Sequence, residues 1–136
     1  MQMTLEADYA VRIIMCLAKT DGRTGAKEIA EETEVTQRFS LKILRKLVSA
    51  GLVKSFRGIN GGYELAKNPS EISLCDVIET IEGNLVMSRC INPEFNCYHK
   101  SKNGGKCPMQ RVYCELTQIL HDKLSEVSFA ELLENK

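Results

Sequence analysis

Residues 50–66 read Ala50-Gly51-Leu52-Val53-Lys54-Ser55-Phe56-Arg57-Gly58-Ile59-Asn60-Gly61-Gly62-Tyr63-Glu64-Leu65-Ala66, and their reading decides the fold. Leu52 to Phe56 is a short strand candidate, and Tyr63 to Leu65 is its return. The glycines between them free the backbone for a hairpin tip. A glycine-rich phosphate loop is excluded, because G-x-x-x-x-G-K-[ST] is absent and no helix begins here. Arg57 stands at the tip, where an arginine can reach the negative potential of a DNA minor groove.

Gly51 is placed to end the preceding helix as its left-handed C-terminal residue. That helix runs roughly from Gln37 to Ala50, with Thr36 as its cap. Phe39, Ile43, Leu44, Leu47 and Val48 form its inward face, leaving Arg38, Lys42, Arg45 and Lys46 on other faces. A turn at Glu34-Val35 separates it from a short helix, Ala26 to Thr33. By themselves these elements fit a helix-turn-helix or an ordinary helical hairpin with a solvated charged face equally well. The basic-tipped β hairpin that follows selects a winged helix.

At the front of the chain, residues 4–18 read as an amphipathic helix capped by Thr4, with Leu5, Tyr9, Ile13 and Leu17 recurring at helical spacing. Asp8 and Arg12, four apart, can pair on its surface. Asp21-Gly22 ends it. Beyond the hairpin, Asn68-Pro69 closes the wing. Ser73 and Asp76 form a capping box for a helix whose apolar face is Leu74, Val77, Ile78 and Ile81, ended by Gly83. Pro108 suits the first position of a last long helix. Its residues Val112, Leu116, Ile119, Leu120 and Leu124 are expected to point inward, and Ser128 to start a final short helix. The fold expected is mainly α: a winged helix-turn-helix with a two-stranded β wing over 1–68, then a sensor loop and a long C-terminal dimerisation helix over 69–136.

The chain has 136 residues, of which 43% are hydrophobic, enough for a packed core. No apolar run reaches the ~20 residues of a membrane span. The polar start MQMTLEADYAVR is no secretory signal, which points to the cytoplasm and to metal or redox roles for cysteine rather than structural disulfides. Net charge is zero, yet Thr36 to Lys67 holds seven basic residues (Arg38, Lys42, Arg45, Lys46, Lys54, Arg57 and Lys67) against the single acid Glu64. From Glu115 onward five acids face only Lys123 and Lys136. The middle of the chain is therefore its electropositive part.

Four of the six cysteines fall in one stretch, CINPEFNCYHKSKNGGKCPMQRVYC, from Cys90 to Cys114. Thiolates favour zinc, cuprous copper and iron–sulfur clusters. Structural zinc sites show tight C-x₂₋₄-C pairs. The spacing here, C-x₆-C-x₉-C-x₆-C, has none and suits a cluster better. Free thiols or an oxidation-sensing disulfide remain alternatives. On one continuous helix Cys107 and Cys114 would stand about 10 Å apart along the axis, far for one metal centre. Cys114 is thus expected to be a core or supporting thiol. His99 is a further candidate ligand. Cys16 and Cys75, within helices, read as core. Without C-x-x-C or a His/acid constellation, an enzyme is not supported.

The segments Ala50 to Gly58 and Gly61 to Ala66, the start Asp8-Tyr9-Ala10-Val11-Arg12, and the ending Val127-Ser128-Phe129-Ala130-Glu131-Leu132 strongly resemble the Rrf-two (Rrf2) family of bacterial transcription regulators. The resemblance covers nearly the whole chain. It implies a homodimer with one winged helix per subunit and an iron–sulfur cluster, two-iron or four-iron, in the loop before the dimerisation helix. Carried over by position, it implies Cys90, Cys97 and Cys107 as ligands. In the family's nitric-oxide-sensing branch, Asp8 matches a fourth ligand supplied by the partner subunit. Two departures stand out. The gaps between the cysteines are long for the family, and Gln110 stands where the IscR branch has a histidine.

The expected function is a dimeric, sequence-specific repressor that senses nitric oxide, redox or iron status. Gln37, Arg38 and Lys42 are expected at base edges, Lys46 and Lys54 on phosphates, and Arg57 with Asn60 in the minor groove. Two-fold symmetry predicts an inverted-repeat operator in double-stranded DNA. The competing expectation is a cluster-free regulator controlled by thiol oxidation, zinc or a protein partner.

Overall fold

The computed structural model describes residues 2–135; Met1 and Lys136 lie outside them. Helix α1 (Leu5–Lys19) starts at Thr4, whose hydroxyl accepts the Ala7 N–H at 3.2 Å. Its buried face is Ala7, Ala10, Ile13, Ile14, Cys16 and Leu17. This face is rotated from the expected stripe, and Leu5 is 62% exposed. The small side chains of Ala7 and Ala10 turn inward because they let another helix, α4 (Leu74–Glu82), pack closely on α1.

Helices α2 (Ala26–Thr33) and α3 (Gln37–Ser49) follow the expected plan. The turn between them places Glu34 in the left-handed region at φ 58°, a conformation unusual for a residue with a Cβ. Thr36 caps α3 through the Phe39 N–H. Ile43, Leu44 and Leu47 of α3 are buried, and Gly51 stops the helix at φ +78°.

Strands β1 (Val53–Phe56) and β2 (Gly62–Leu65) pair antiparallel, with Lys54 opposite Glu64 and Ser55 opposite Tyr63. A third segment braces this wing. Thr24 exchanges two backbone hydrogen bonds with Tyr63, each 2.9 Å. Beside it, the Arg23 guanidinium lies 3.5 Å from the centre of the Phe56 ring and donates to the Asn60 carbonyl at 3.0 Å. This bracing explains Gly62: a Cβ there would sit 2.8 Å from the Thr24 carbonyl oxygen, at φ +139°. Gly62→Ala is therefore expected to destabilise the protein by about 1–3 kcal/mol, read as a lower urea midpoint with unchanged m.

After the wing, Asn68 caps a 3₁₀ turn over Pro69–Glu71, and the Ser73–Asp76 capping box opens α4. The segment before α4 then pairs with the segment before the last helix. Leu74 N–H donates to Val127, and Phe129 N–H to Ile72, both at 3.0 Å. The last helix, α7 (Phe129–Glu134), is capped by Ser128 and drops Phe129 fully into the core formed by α1, α3, β1 and α4.

The stretch from Gly83 to Pro108 is less bare than a loop. It holds a 3₁₀ turn at Arg89–Ile91 and a short helix α5 (Tyr98–Lys102). Helix α6 (Pro108–Glu126) starts at Pro108 as expected. Of the apolar residues expected to point inward, only Leu124 does so. Val112, Leu116, Ile119 and Leu120 are exposed, and no residue of α6 is buried. The half-buried face consists instead of Gln110, Tyr113, Thr117, His121 and Leu124, which meets α4 and the turn at Arg89–Ile91. Cys114 is exposed as well, so of the two roles expected for it, core thiol or supporting thiol, the first does not hold.

Candidate nucleic-acid interface and thiol sensor

Two surfaces carry the chemistry. The first is the outer face of α3. Gln37, Arg38, Lys42, Arg45 and Ser49 are all exposed, and Arg38, Lys42, Arg45 and Ser49 recur at three- and four-residue spacing along one side. Arg45 thus shares the face of Arg38 and Lys42. It was legible as a basic residue, but its alignment with that face emerges only once the helix is oriented. Lys46 is turned away: its Nζ meets Glu6 Oε1 of α1 at 2.6 Å, and Lys42 Nζ reaches the same oxygen at 3.9 Å. On the wing, Lys54 and Arg57 are exposed, while the Asn60 carbonyl is engaged by Arg23.

The hydrogen bond from Lys46, helped by the charges of both lysines, holds the Glu6 carboxyl below its ordinary range despite partial burial. A carboxylate depressed in the folded state stabilises it above the unfolded value, near pH 4.3, and loses that effect as pH falls through the folded value. Glu6→Gln is expected to cost less than about 1 kcal/mol at neutral pH. It should also flatten the acid limb of a stability–pH curve measured by urea denaturation.

The second surface is the cysteine stretch. Cys90, Cys97 and Cys107 are free, half-buried thiols. Cys90 lies in the turn at Arg89–Ile91, its sulfur 3.2 Å from the Ser88 hydroxyl. Cys97 and Cys107 are the residues just before α5 and α6. Gln110 has a definite role here: its side-chain amide donates to the Cys90 carbonyl at 2.7 Å and ties that turn to α6. The three sulfurs do not converge as a single-ion site. Among the described residues, the one set of three ligand-type groups with all donor atoms within 4.8 Å of one another is Cys75, Glu79 and His121.

Asp8 is on α1 with its carboxylate 3.1 Å from the Arg12 guanidinium, which also lies over the Tyr9 ring. An exposed pair of this kind is held by less than about 1 kcal/mol, so Asp8 can leave it for a better partner. His99 is exposed and its Nε2 lies 3.2 Å from the Asn103 amide. Cys16 and Cys75 are buried, as expected. Burial first, then the neighbouring Glu32, pushes the Cys16 thiol up. Burial also pushes Cys75 up, with Ser125 pulling the other way.

The Rrf2 family model, described as an iron-dependent transcriptional regulator, matches residues 3–135. The chain belongs to this family. It is 39% identical over 122 residues to protein aau3 of Rhizobium meliloti (strain 1021), covering 88% of this chain and 79% of that protein. It is 32% identical over 127 residues to the HTH-type transcriptional regulator NsrR of Halalkalibacterium halodurans, covering 92% of this chain and 80% of that protein. Among solved structures it is similar to IscR from T. potens, with a TM-score of 0.79, 26% identity, and coverage of 99% of this chain and 88% of that one. This Rrf2 protein is a winged-helix transcriptional regulator and not an enzyme. Among its described residues no helix is long and apolar enough to cross a membrane.

Proposed function

We infer that this Rrf2 regulator acts as a homodimeric repressor of an inverted-repeat operator, with DNA affinity set by an iron–sulfur cluster. Cys90, Cys97 and Cys107 would hold the cluster, and Asp8 of the partner subunit would complete it. The division of labour is DNA binding by residues 1–68 and sensing and pairing by 69–136. The observation that carries the reading is the placement of three free thiols in one segment that Gln110 fastens to α6. Soft donors in a partly buried, wide-spaced set fit a multi-iron group. Such a group, when bound, supplies a centre reactive toward nitric oxide and oxidants.

The residues of the chain do the rest. Met109, Val112, Leu116 and Ile119 expose an apolar stripe at spacings of three, four and three, the seam of a helix pair. Pairing α6 with its copy would bury this stripe and bring α1 of one subunit toward the cysteine segment of the other. Asp8 would then fix the angle between the two winged helices. Releasing Asp8 would free that angle, and DNA affinity would change by as much as the two arrangements differ in fit to the operator. At the operator, the outer face of α3 would enter the major groove with Gln37, Arg38 and Lys42. Lys54 would contact phosphate, and Arg57 with Asn60 the minor groove. Lys46 would reach phosphate only by leaving Glu6, and Arg45 is better placed for that contact.

A second reading, control by thiol oxidation without a cluster, is favoured by the exposed Cys114. Purification under strict anaerobiosis separates the two. The cluster reading expects a brown protein containing iron and acid-labile sulfide, both lost in Cys90→Ser. A colourless anaerobic protein without iron would sink it and leave the thiol reading.

A further inference from the structure

Away from the cysteine segment, α4 and α6 bring together Cys75, Glu79 and His121. Cys75 and Glu79 are four apart on α4, so their side chains share a face. His121, four turns into α6, meets them from the opposite helix. One donor atom from each lies within 4.8 Å of the other two. His121 Nε2 is 3.5 Å from Glu79 Oε1. That is long for a hydrogen bond, whose usual N···O separation is about 2.9–3.0 Å. It matches the edge of a tetrahedron around zinc: bonds of about 2.0–2.2 Å to nitrogen and oxygen place those atoms roughly 3.3–3.5 Å apart.

The imidazole shows a second sign. Its Nδ1 is closed off from solvent and makes no hydrogen bond, with Asp122 Oδ1 at 3.7 Å. A metal-bound histidine characteristically directs its other ring N–H to a carboxylate; Asp122 is the carboxylate beside Nδ1, its Oδ1 at present accepting from the Gln118 amide at 2.7 Å. The remaining surroundings are consistent. Cys75 is 3% exposed, whereas the Glu79 and His121 side chains are 31% and 41% exposed, which leaves an open side for a water as fourth ligand.

We propose that Cys75, Glu79 and His121 bind one divalent transition-metal ion of the zinc class, which clips α6 to α4. One thiolate, one carboxylate and one neutral imidazole carry a charge of −2, which cancels that of the ion. The soft sulfur and the nitrogen select against calcium and magnesium, which take oxygen ligands. The consequence is mechanical. Helix α6 has no fully buried residue and meets α4 through a half-buried face that includes His121. A metal clip would stiffen the joint between α6, which carries the cysteine segment at its start, and α4.

The test uses the full chain carrying Cys90→Ser, Cys97→Ser and Cys107→Ser, stripped with chelator and titrated anaerobically with cobalt, then zinc. The expected result is one cobalt per chain, with the intense visible absorption of a four-coordinate site and a thiolate charge-transfer band, displaced by zinc. Adding His121→Ala should erase the band and weaken binding by about 100-fold or more, beyond the roughly 10–100-fold that follows loss of an outer-shell partner. His121 is partly exposed, so this variant is expected to fold, which far-UV circular dichroism checks. Failure of the triple variant to bind either metal would overturn the proposal, as would unchanged spectrum and affinity in His121→Ala. Because the loop thiols are absent from this experiment, its outcome is independent of whether they hold a cluster.

Discussion

Replacing Phe129 with alanine is expected to destabilise the protein by about 3–5 kcal/mol, a large share of the 5–15 kcal/mol that holds a domain of this size together. Phe129 is the largest fully buried side chain and has no exposed surface. Its ring belongs to the same core as Ile13, Ile14, Leu44 and Val77, although it comes from the last helix of the chain. The backbone holds it in register through the bond from its N–H to Ile72. Truncation therefore leaves a cavity that collapse cannot fill. Urea denaturation followed by circular dichroism should show the loss, while Glu134→Ala, exposed at the other end of α7, should stay within about 0.5 kcal/mol. A Phe129→Ala protein of near-normal stability would mean that α7 is not part of the core. The loss also has a functional side. Phe129 fastens the end of α6 to the winged helix, so even a folded variant should transmit less of any change at the cysteine segment to the DNA-binding face.

Arg38→Ala should weaken operator binding by about 1–3 kcal/mol per half-site if its guanidinium reads a base edge, and by up to twice that for a dimer on both half-sites. Arg38 is exposed at the first turn of α3 and forms no ion pair among the described residues, so its removal should leave stability unchanged. Arg45→Ala, about two turns further along the same face, should weaken binding to specific and non-specific DNA alike and reduce the salt slope by about 1. Lys46→Ala, by contrast, should act mainly on stability through Glu6. Binding isotherms on operator and random duplexes at two salt concentrations separate these outcomes. Equal affinity of Arg38→Ala and the parent for both duplexes would remove α3 as the reading helix.

Much of the fold was legible because it is encoded locally. Thr36, Ser73 and Ser128 cap helices with their own hydroxyls, Gly51 and Gly83 end them, and Pro108 opens one; each acts within a turn of its own position. The hairpin glycines belong to the same class. What escaped was orientation between elements. The face of α1 is set by Ala7 and Ala10, whose small size matters only because α4 lies against them. Arg23 reads as a loop cation until Phe56 and Asn60 are brought beside it. Lys46 looked as free as Lys42 until Glu6 of another helix claimed it.

The cysteines divide the same way. Sequence alone determined that Cys90, Cys97 and Cys107 share one segment before a long helix, and that no tight pair suits them to a single ion. Their number and spacing are covalent facts. Only the tertiary structure decided that Gln110 fastens the Cys90 turn and that Cys114 faces outward. It alone brought Cys75, reading as an ordinary core thiol, to Glu79 and His121. The physical reason is that a cap or a turn is settled by atoms a few bonds away. A ligand set, by contrast, depends on how helices pack, and His121 is 46 positions from Cys75 in the chain.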